Sequence, residues 1–92
     1  MLKKLIYNKN YIKIKNKIKN DNNMIYEKDY NGEIPIHIAT RENDEYLINF
    51  FIKKDKKILS YKTKKGNNSF HILALNPKLL IKYINLNKNI KS

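Results

Sequence analysis

The 92-residue chain contains no cysteine and only two glycines and two prolines. The absence of cysteine excludes a disulfide framework and any zinc or redox site built on thiolates, so packing alone must hold the fold. Two isolated glycines cannot form a glycine-rich phosphate-binding loop. Apolar runs are also short, with neither a signal peptide nor the ~20 apolar residues that a membrane-spanning helix needs. We therefore expect a single domain in the cytoplasm.

Acidic residues are scarce as well: eight face twenty basic residues, which leaves a net charge of +12. A net positive charge of this size ordinarily suggests that a protein binds nucleic acid or an anionic membrane. Nineteen of the twenty basic residues are lysine, however, and lysine, asparagine and isoleucine recur throughout the chain. AT-rich coding produces the same bias, so an ordinary solvated surface is the favoured interpretation of the charge.

A repeat is the strongest pattern in the sequence. Residues 29–39 and 63–73 align without a gap at an offset of 34, which places the two glycines of the chain on each other and the two histidines on each other. Residues 46–52 fall on residues 12–18 at the same offset. We therefore predict three copies of one unit, at residues 1–28, 29–62 and 63–92, with the outer two incomplete.

The middle unit predicts two helices. Gly32 supplies the positive φ of a tight turn, and Pro35 suits the first turn of a helix over residues 35 to about 41. Asp44 can cap a second helix. The predicted apolar face of that helix consists of Tyr46, Leu47, Phe50 and Phe51. An extended loop through residues 58–59 completes the unit.

The outer units are predicted from the same pattern. In the first unit one helix face consists of Tyr7, Tyr11, Ile14 and Ile18, and lysines occupy the rest, which suits a terminal cap packed on one side. The third unit predicts a short second helix whose apolar positions are Leu79, Leu80, Tyr83 and Ile84. The tail after it is expected to fray.

These residues resemble the ankyrin repeat, whose pattern is Gly-x-Thr-Pro-Leu-His-x-Ala with a period near 33 residues. The middle unit matches at Gly32, Pro35, Ile36, His37 and Ala39, and the third matches more loosely at Gly66, Phe70 and His71. Ile34 replaces the threonine that would cap the first helix, whereas Asn68 keeps a capping side chain. Over residues 10–86 the resemblance implies an all-α, ankyrin-type helix-turn-helix repeat solenoid of about two and a half to three repeats.

The same resemblance implies a protein-binding module that uses its turn tips and the adjoining face of its first helices. Carried over position by position, that surface consists of Tyr30, Asn31, Glu33, Arg41, Glu42, Lys64, Lys65, Asn67, Leu75 and Asn76. Its charges favour an acidic or mixed-charge partner protein. Small ankyrin-like proteins of viruses and parasites often engage host regulators, which would place the chain in the host cytoplasm. The alternative is a basic nucleic-acid-binding protein that contacts phosphates through the lysines of the first helix and of residues 53–65.

No constellation of catalytic or metal-ligating residues emerges from the sequence. His37 and His71 occupy the same position in two units, which favours structural residues that bridge adjacent loops over ligands of a metal ion. The acidic residues that invite a catalytic interpretation are Glu33, Glu42, Asp44 and Glu45. Capping and solvation explain them, since no nucleophile or oxyanion-binding loop accompanies them. We therefore expect that the chain is not an enzyme and binds no cofactor.

Overall fold

The computed structural model describes residues 2–91, and the side chains of residues 2–86. This part of the chain is all-α, as the sequence predicts, with no β-strand. Its helices are α1 (Lys3–Tyr7), α2 (Tyr11–Asn20), α3 (Pro35–Arg41), α4 (Glu45–Lys54), α5 (Ser69–Leu73) and α6 (Pro77–Lys91). Two 3-10 helices, Asn22–Tyr26 and Ile58–Ser60, lie in the connections.

The helices form three consecutive pairs, and the backbone repeats at the offset found in the sequence. Gly32 and Gly66 have φ values of 70° and 80°, and Lys9 and Asn43 both have φ of 55°. Each of these left-handed residues lets the chain reverse sharply, before the first helix of a pair or between its two helices. Helix α3 contacts both α1 and α5, so the first helices of the three pairs lie side by side.

Local caps explain where the helices begin. Pro35 opens α3 at its first turn. The Asp44 carboxylate accepts a hydrogen bond from the Leu47 N–H (3.2 Å) at the start of α4, which confirms the predicted cap. Asn68 caps α5 in the same way, accepting from the Phe70 N–H at 3.0 Å. Ile34 has no side-chain acceptor, and α3 begins without a side-chain cap.

The core runs the length of the stack and is mostly aliphatic. The apolar side chains that are at most 1% exposed are Ile6, Ile14, Ile18, Ile34, Ile36, Ala39, Leu47, Ile48, Phe51, Ile58, Leu73 and Tyr83. The predicted apolar face of α4 is therefore partly wrong, because Ile48 is buried while Tyr46 is 45% exposed. The Tyr46 ring packs instead against the ring of Tyr11 in α2, with 4.7 Å between the centroids.

The predictions for the outer units need correction. Tyr7 ends α1 and Tyr11 begins α2, so the two side chains do not share one helix face. The left-handed Lys9 breaks the helix there, and Asn10 caps the new one by accepting from the Lys13 N–H. Helix α6 is not short but has fifteen residues, since neither glycine nor proline follows Pro77. In the middle unit, the predicted extended loop at residues 58–59 is instead part of a 3-10 helix.

Candidate partner-binding surface

Two turn tips lie against each other beside the first helices. In the first tip the Asp29 carboxylate accepts from the backbone N–H groups of Asn31 and Glu33, at 2.9 and 3.0 Å. The Asn31 carbonyl then accepts from the Lys64 N–H of the second tip at 3.0 Å. A Cβ atom on Gly32 would lie only 2.9 Å from the Lys64 nitrogen, so glycine permits this close approach. The two tips thus form one continuous edge.

A cleft of about 520 Å³ opens beside these tips. Six of the ten residues assigned to the partner surface line it: Asn31, Glu33, Arg41, Lys64, Lys65 and Asn67. Lys3, Thr63 and Ile72 complete the lining. Loops of two units and the helices α1, α3 and α5 therefore converge on one concave site.

Two ion pairs neutralise one carboxylate in the cleft and one beside it. Arg41 donates to both carboxylate oxygens of Glu33, with 3.0 Å between Nη2 and Oε1, and this contact raises the pKa of Arg41. Lys3 lies 3.2 Å from the Asp29 carboxylate. Burial alone would raise the pKa of Asp29, but the bonds from its loop N–H groups and from Lys3 hold that pKa below its usual value. Neither carboxylate is then available to repel an anion.

The remaining charge at the cleft is positive. Lys64 and Lys65 are exposed, and neither forms an ion pair with any described side chain. Flexible ammonium groups at the tip of a loop contact carboxylates or phosphates through strong, charge-assisted hydrogen bonds. The site thus presents two unpaired ammonium groups beside carboxylates that are already ion-paired.

The other residues assigned to the partner surface lie outside the cleft lining. Tyr30 is 95% exposed at the first tip, and Leu75 is 91% exposed between α5 and α6. Glu42 is exposed, while Asn76 is half-buried and donates its amide to the Asn43 side chain at 3.1 Å. Glu33, by contrast, is only 8% exposed, so it shapes the floor of the cleft and offers little contact area.

His37 connects the start of α3 to the loop that ends the middle unit. Its Nδ1 accepts from the Ile34 N–H (3.0 Å), and its Nε2 donates to the Tyr61 carbonyl (2.7 Å). This pair of bonds fixes the neutral tautomer, and burial lowers the pKa of His37. His71 is exposed, and its Nδ1 accepts from the Asn68 N–H at 3.1 Å. Both imidazoles therefore hold a helix start, and only His37 also bonds a second loop, through the Tyr61 carbonyl.

Two acidic residues weighed as catalytic groups hold elements together. Asp44 caps α4 and accepts the Tyr11 hydroxyl at 2.8 Å, and Glu45 forms an ion pair with Lys82 of α6, also at 2.8 Å. Both carboxylates join one helix pair to its neighbour.

Sequence reasoning missed a second cleft, of about 380 Å³, on another part of the surface. Its lining residues are Tyr26, Lys28, Ile34, Tyr61 and Lys62, and none of them lines the first cleft. A signal was present in the sequence, because Lys28 and Lys62 are related by the repeat offset. Each also follows closely after a tyrosine.

Within residues 2–91 no helix is both long and apolar enough to cross a membrane. The side chains described there include no group of three or more potential ligands that could hold a metal ion. Comparisons of this chain with models of protein families, with curated proteins and with solved structures give no match.

Proposed function

We propose that this chain is an ankyrin-like repeat module that binds another protein through its turn tips and the adjoining faces of its first helices, without catalysis. The observation that carries the proposal is the 520 Å³ cleft, where six of the residues expected on that surface meet. Concave sites of this size, with a few convergent polar groups, are common places for ligands and peptide segments to bind.

The repeating backbone supports kinship with ankyrin repeats. Helices α2 and α4 each have ten residues and begin one unit apart, at Tyr11 and Glu45. Glycines with positive φ precede both α3 and α5 at the same distance. The histidine that joins one loop to the next is typical of the sequence pattern on which the resemblance rests.

The partner surface is proposed to be acidic or of mixed charge. Lys64 and Lys65 carry unpaired positive charge at the second tip, whereas the acidic groups of the first tip are engaged by Lys3 and Arg41. Tyr30 offers an aromatic ring next to the cleft, and tyrosine is frequent among the residues that dominate interface energies. Electrostatic attraction would speed association and weaken as salt is added.

The positions of the lysines favour a protein partner over nucleic acid. Lys64 lines the first cleft and Lys28 the second, while Lys15 and Lys54 line two others. A phosphate-tracking surface needs cations along one continuous path. Scatter over several clefts agrees better with a generally lysine-rich composition.

Affinity capture with a matched control tests the proposal. The wild type is compared with a Tyr30→Ala, Lys64→Glu double variant and with an Ile12→Ala, Lys56→Glu variant of equal charge. Ile12 and Lys56 are exposed and line neither cleft at the unit junctions. We expect the control to retain the partners of the wild type and the double variant to lose them.

If the double variant recovers the same proteins as the wild type, the proposed surface is wrong. Titration with unrelated DNA and RNA at several salt concentrations tests the alternative function. Micromolar binding with a steep salt dependence would favour a nucleic-acid-binding protein.

A further inference from the structure

We propose that the second cleft is a separate binding site for an acidic peptide, which packs one apolar side chain against the rings of Tyr26 and Tyr61. The site lies where two successive units meet. Tyr26 and Lys28 precede the first turn tip, and Tyr61 and Lys62 precede the second. Each unit thus supplies one aromatic ring and one lysine.

The aromatic wall is held in place by ring stacking and by hydrogen bonds that need no ligand. The two rings stack with 5.5 Å between centroids and 23° between planes. The Tyr26 hydroxyl donates to the Asp55 carboxylate at 2.7 Å, and Asp55 is itself held by the Lys57 N–H at 2.9 Å. The Tyr61 backbone is fixed by its bond to His37. A preorganised wall loses little conformational entropy on binding, so more of the contact energy appears as affinity.

An apolar side chain fits the floor and walls of this cleft. Ile34 lies under the cleft and is only 1% exposed, so the Tyr61 ring, which keeps 40% of its surface accessible, supplies most of the apolar contact. Tyrosine rings of this kind bury large areas at interfaces while their hydroxyls stay hydrogen-bonded. At about 380 Å³ the cleft is near the lower end of the size range of ligand sites, which suits one large side chain with its flanking backbone.

The rim determines the charge of the ligand. Lys28 and Lys62 are exposed, and neither is paired with any described acidic side chain. The carboxylate behind the rings, Asp55, is occupied by the Tyr26 hydroxyl. Burial alone would raise its pKa, but that bond and the Lys57 N–H hold the pKa below its usual value. Two lysines without an acidic partner in the lining of one cleft complement an apolar side chain flanked by carboxylates.

A single-stranded nucleic acid would use the same residue types, but the arrangement favours a peptide. The rings stack on each other, which removes one face of each from contact with a base. The cleft also ends on an aliphatic floor and carries only two lysines. A strand-binding groove needs successive open ring faces and cations along the backbone path.

The test uses the whole chain and a short peptide with one central phenylalanine between glutamates. Amide chemical shifts in ¹⁵N-labelled protein are followed during the titration. We expect saturable shifts at Ile34, Tyr61 and Lys62, and weaker binding when alanine replaces the phenylalanine or lysines replace the glutamates. Shifts confined to Asn31 and Lys64 would support the first cleft and overturn this proposal, so the two sites are distinguished in one spectrum.

Variants supply the second arm. Tyr61→Ala keeps the backbone carbonyl that His37 needs and should weaken peptide binding about tenfold or more. Lys62→Glu, an exposed change that leaves the core intact, should weaken it several-fold and more strongly at low salt. Lys56→Glu makes the same charge change outside the cleft and should have little effect. Thermal melts establish that each variant is folded.

Several results would refute the second site. These are the absence of shifts at about 1 mM peptide, equal affinity of the alanine and phenylalanine peptides, or equal losses in Lys62→Glu and Lys56→Glu. Tighter binding of an oligothymidylate of equal charge, with shifts at the same residues, would replace the peptide by a nucleic acid.

Discussion

Replacement of Gly32 by alanine tests how much the stacked turn tips stabilise the fold. A left-handed backbone costs a residue with a Cβ atom about 1–2 kcal/mol, and Gly32 has φ of 70°. The new Cβ would also lie 2.9 Å from the Lys64 nitrogen and 2.9 Å from its Cγ. The backbone contact must lengthen, which weakens the Asn31–Lys64 bond, worth about 1 kcal/mol net. We expect Gly32→Ala to lower the free energy of unfolding by about 2–3 kcal/mol.

Gly66→Ala is the matched control. Gly66 has a similar φ of 80°, but a Cβ there would meet nothing within 4 Å. Gly66→Ala should therefore lose only the cost of the left-handed backbone, about 1–2 kcal/mol of the free energy of unfolding. The difference between the two variants isolates the close approach of the tips.

Thermal and urea denaturation followed by circular dichroism measures both variants. For a domain of this size 1 kcal/mol corresponds to a shift in Tm of roughly 4–8 °C, so Gly32→Ala should melt at least that much below Gly66→Ala. Equal Tm values, or a larger loss in Gly66→Ala, would show that the tips do not constrain each other.

Three further predictions concern buried polar groups. Stability should be greatest above about pH 6.5 and fall as the pH drops through the lowered pKa of His37, because the unfolded chain binds the proton more readily. In His37→Gln, the midpoint of urea denaturation should no longer change with pH between about 6.5 and the range near 3.8 where carboxylates protonate. Arg41→Ala should cost about 1–3 kcal/mol in urea denaturation, since it leaves the buried Glu33 carboxylate unpaired, and adding Glu33→Gln should restore part of the loss. Ser69→Pro should raise Tm, because it removes a buried hydroxyl without a partner and restricts the unfolded chain, which is worth about 0.5–1 kcal/mol. Ser69→Ala measures the hydroxyl contribution alone.

The elements that the sequence predicts well are those with local causes. The bounds of α3 follow from Pro35, which favours a helix start, and from the polar residues after Arg41. The start of α4 follows from a capping carboxylate at Asp44. The turn at Gly32 follows from the need for positive φ. In each case one side chain and its own backbone suffice.

Features that depend on neighbouring units are harder to predict. The break at Lys9 carries no glycine or proline, and only the alignment of Asn10 with the cap at Asp44 indicates it. Tyr46 has apolar spacing on its helix, yet its ring packs on α2 near the surface. The burial of Glu33 depends on Arg41, eight residues away. Such details are decided by which side chains meet in space, and spacing along one helix does not contain that information.

Hydrogen bonds between described side chains of different helix pairs join each pair only to the next one along the chain. Among the described residues they span at most 37 positions, from Glu45 to Lys82, and Tyr11–Asp44 and Asn49–Tyr83 span 33 and 34. Every such bond therefore becomes available as soon as the next helix pair has been synthesised. The first two pairs can therefore pack on each other before the third has formed, and contacts of such short sequence separation favour fast folding.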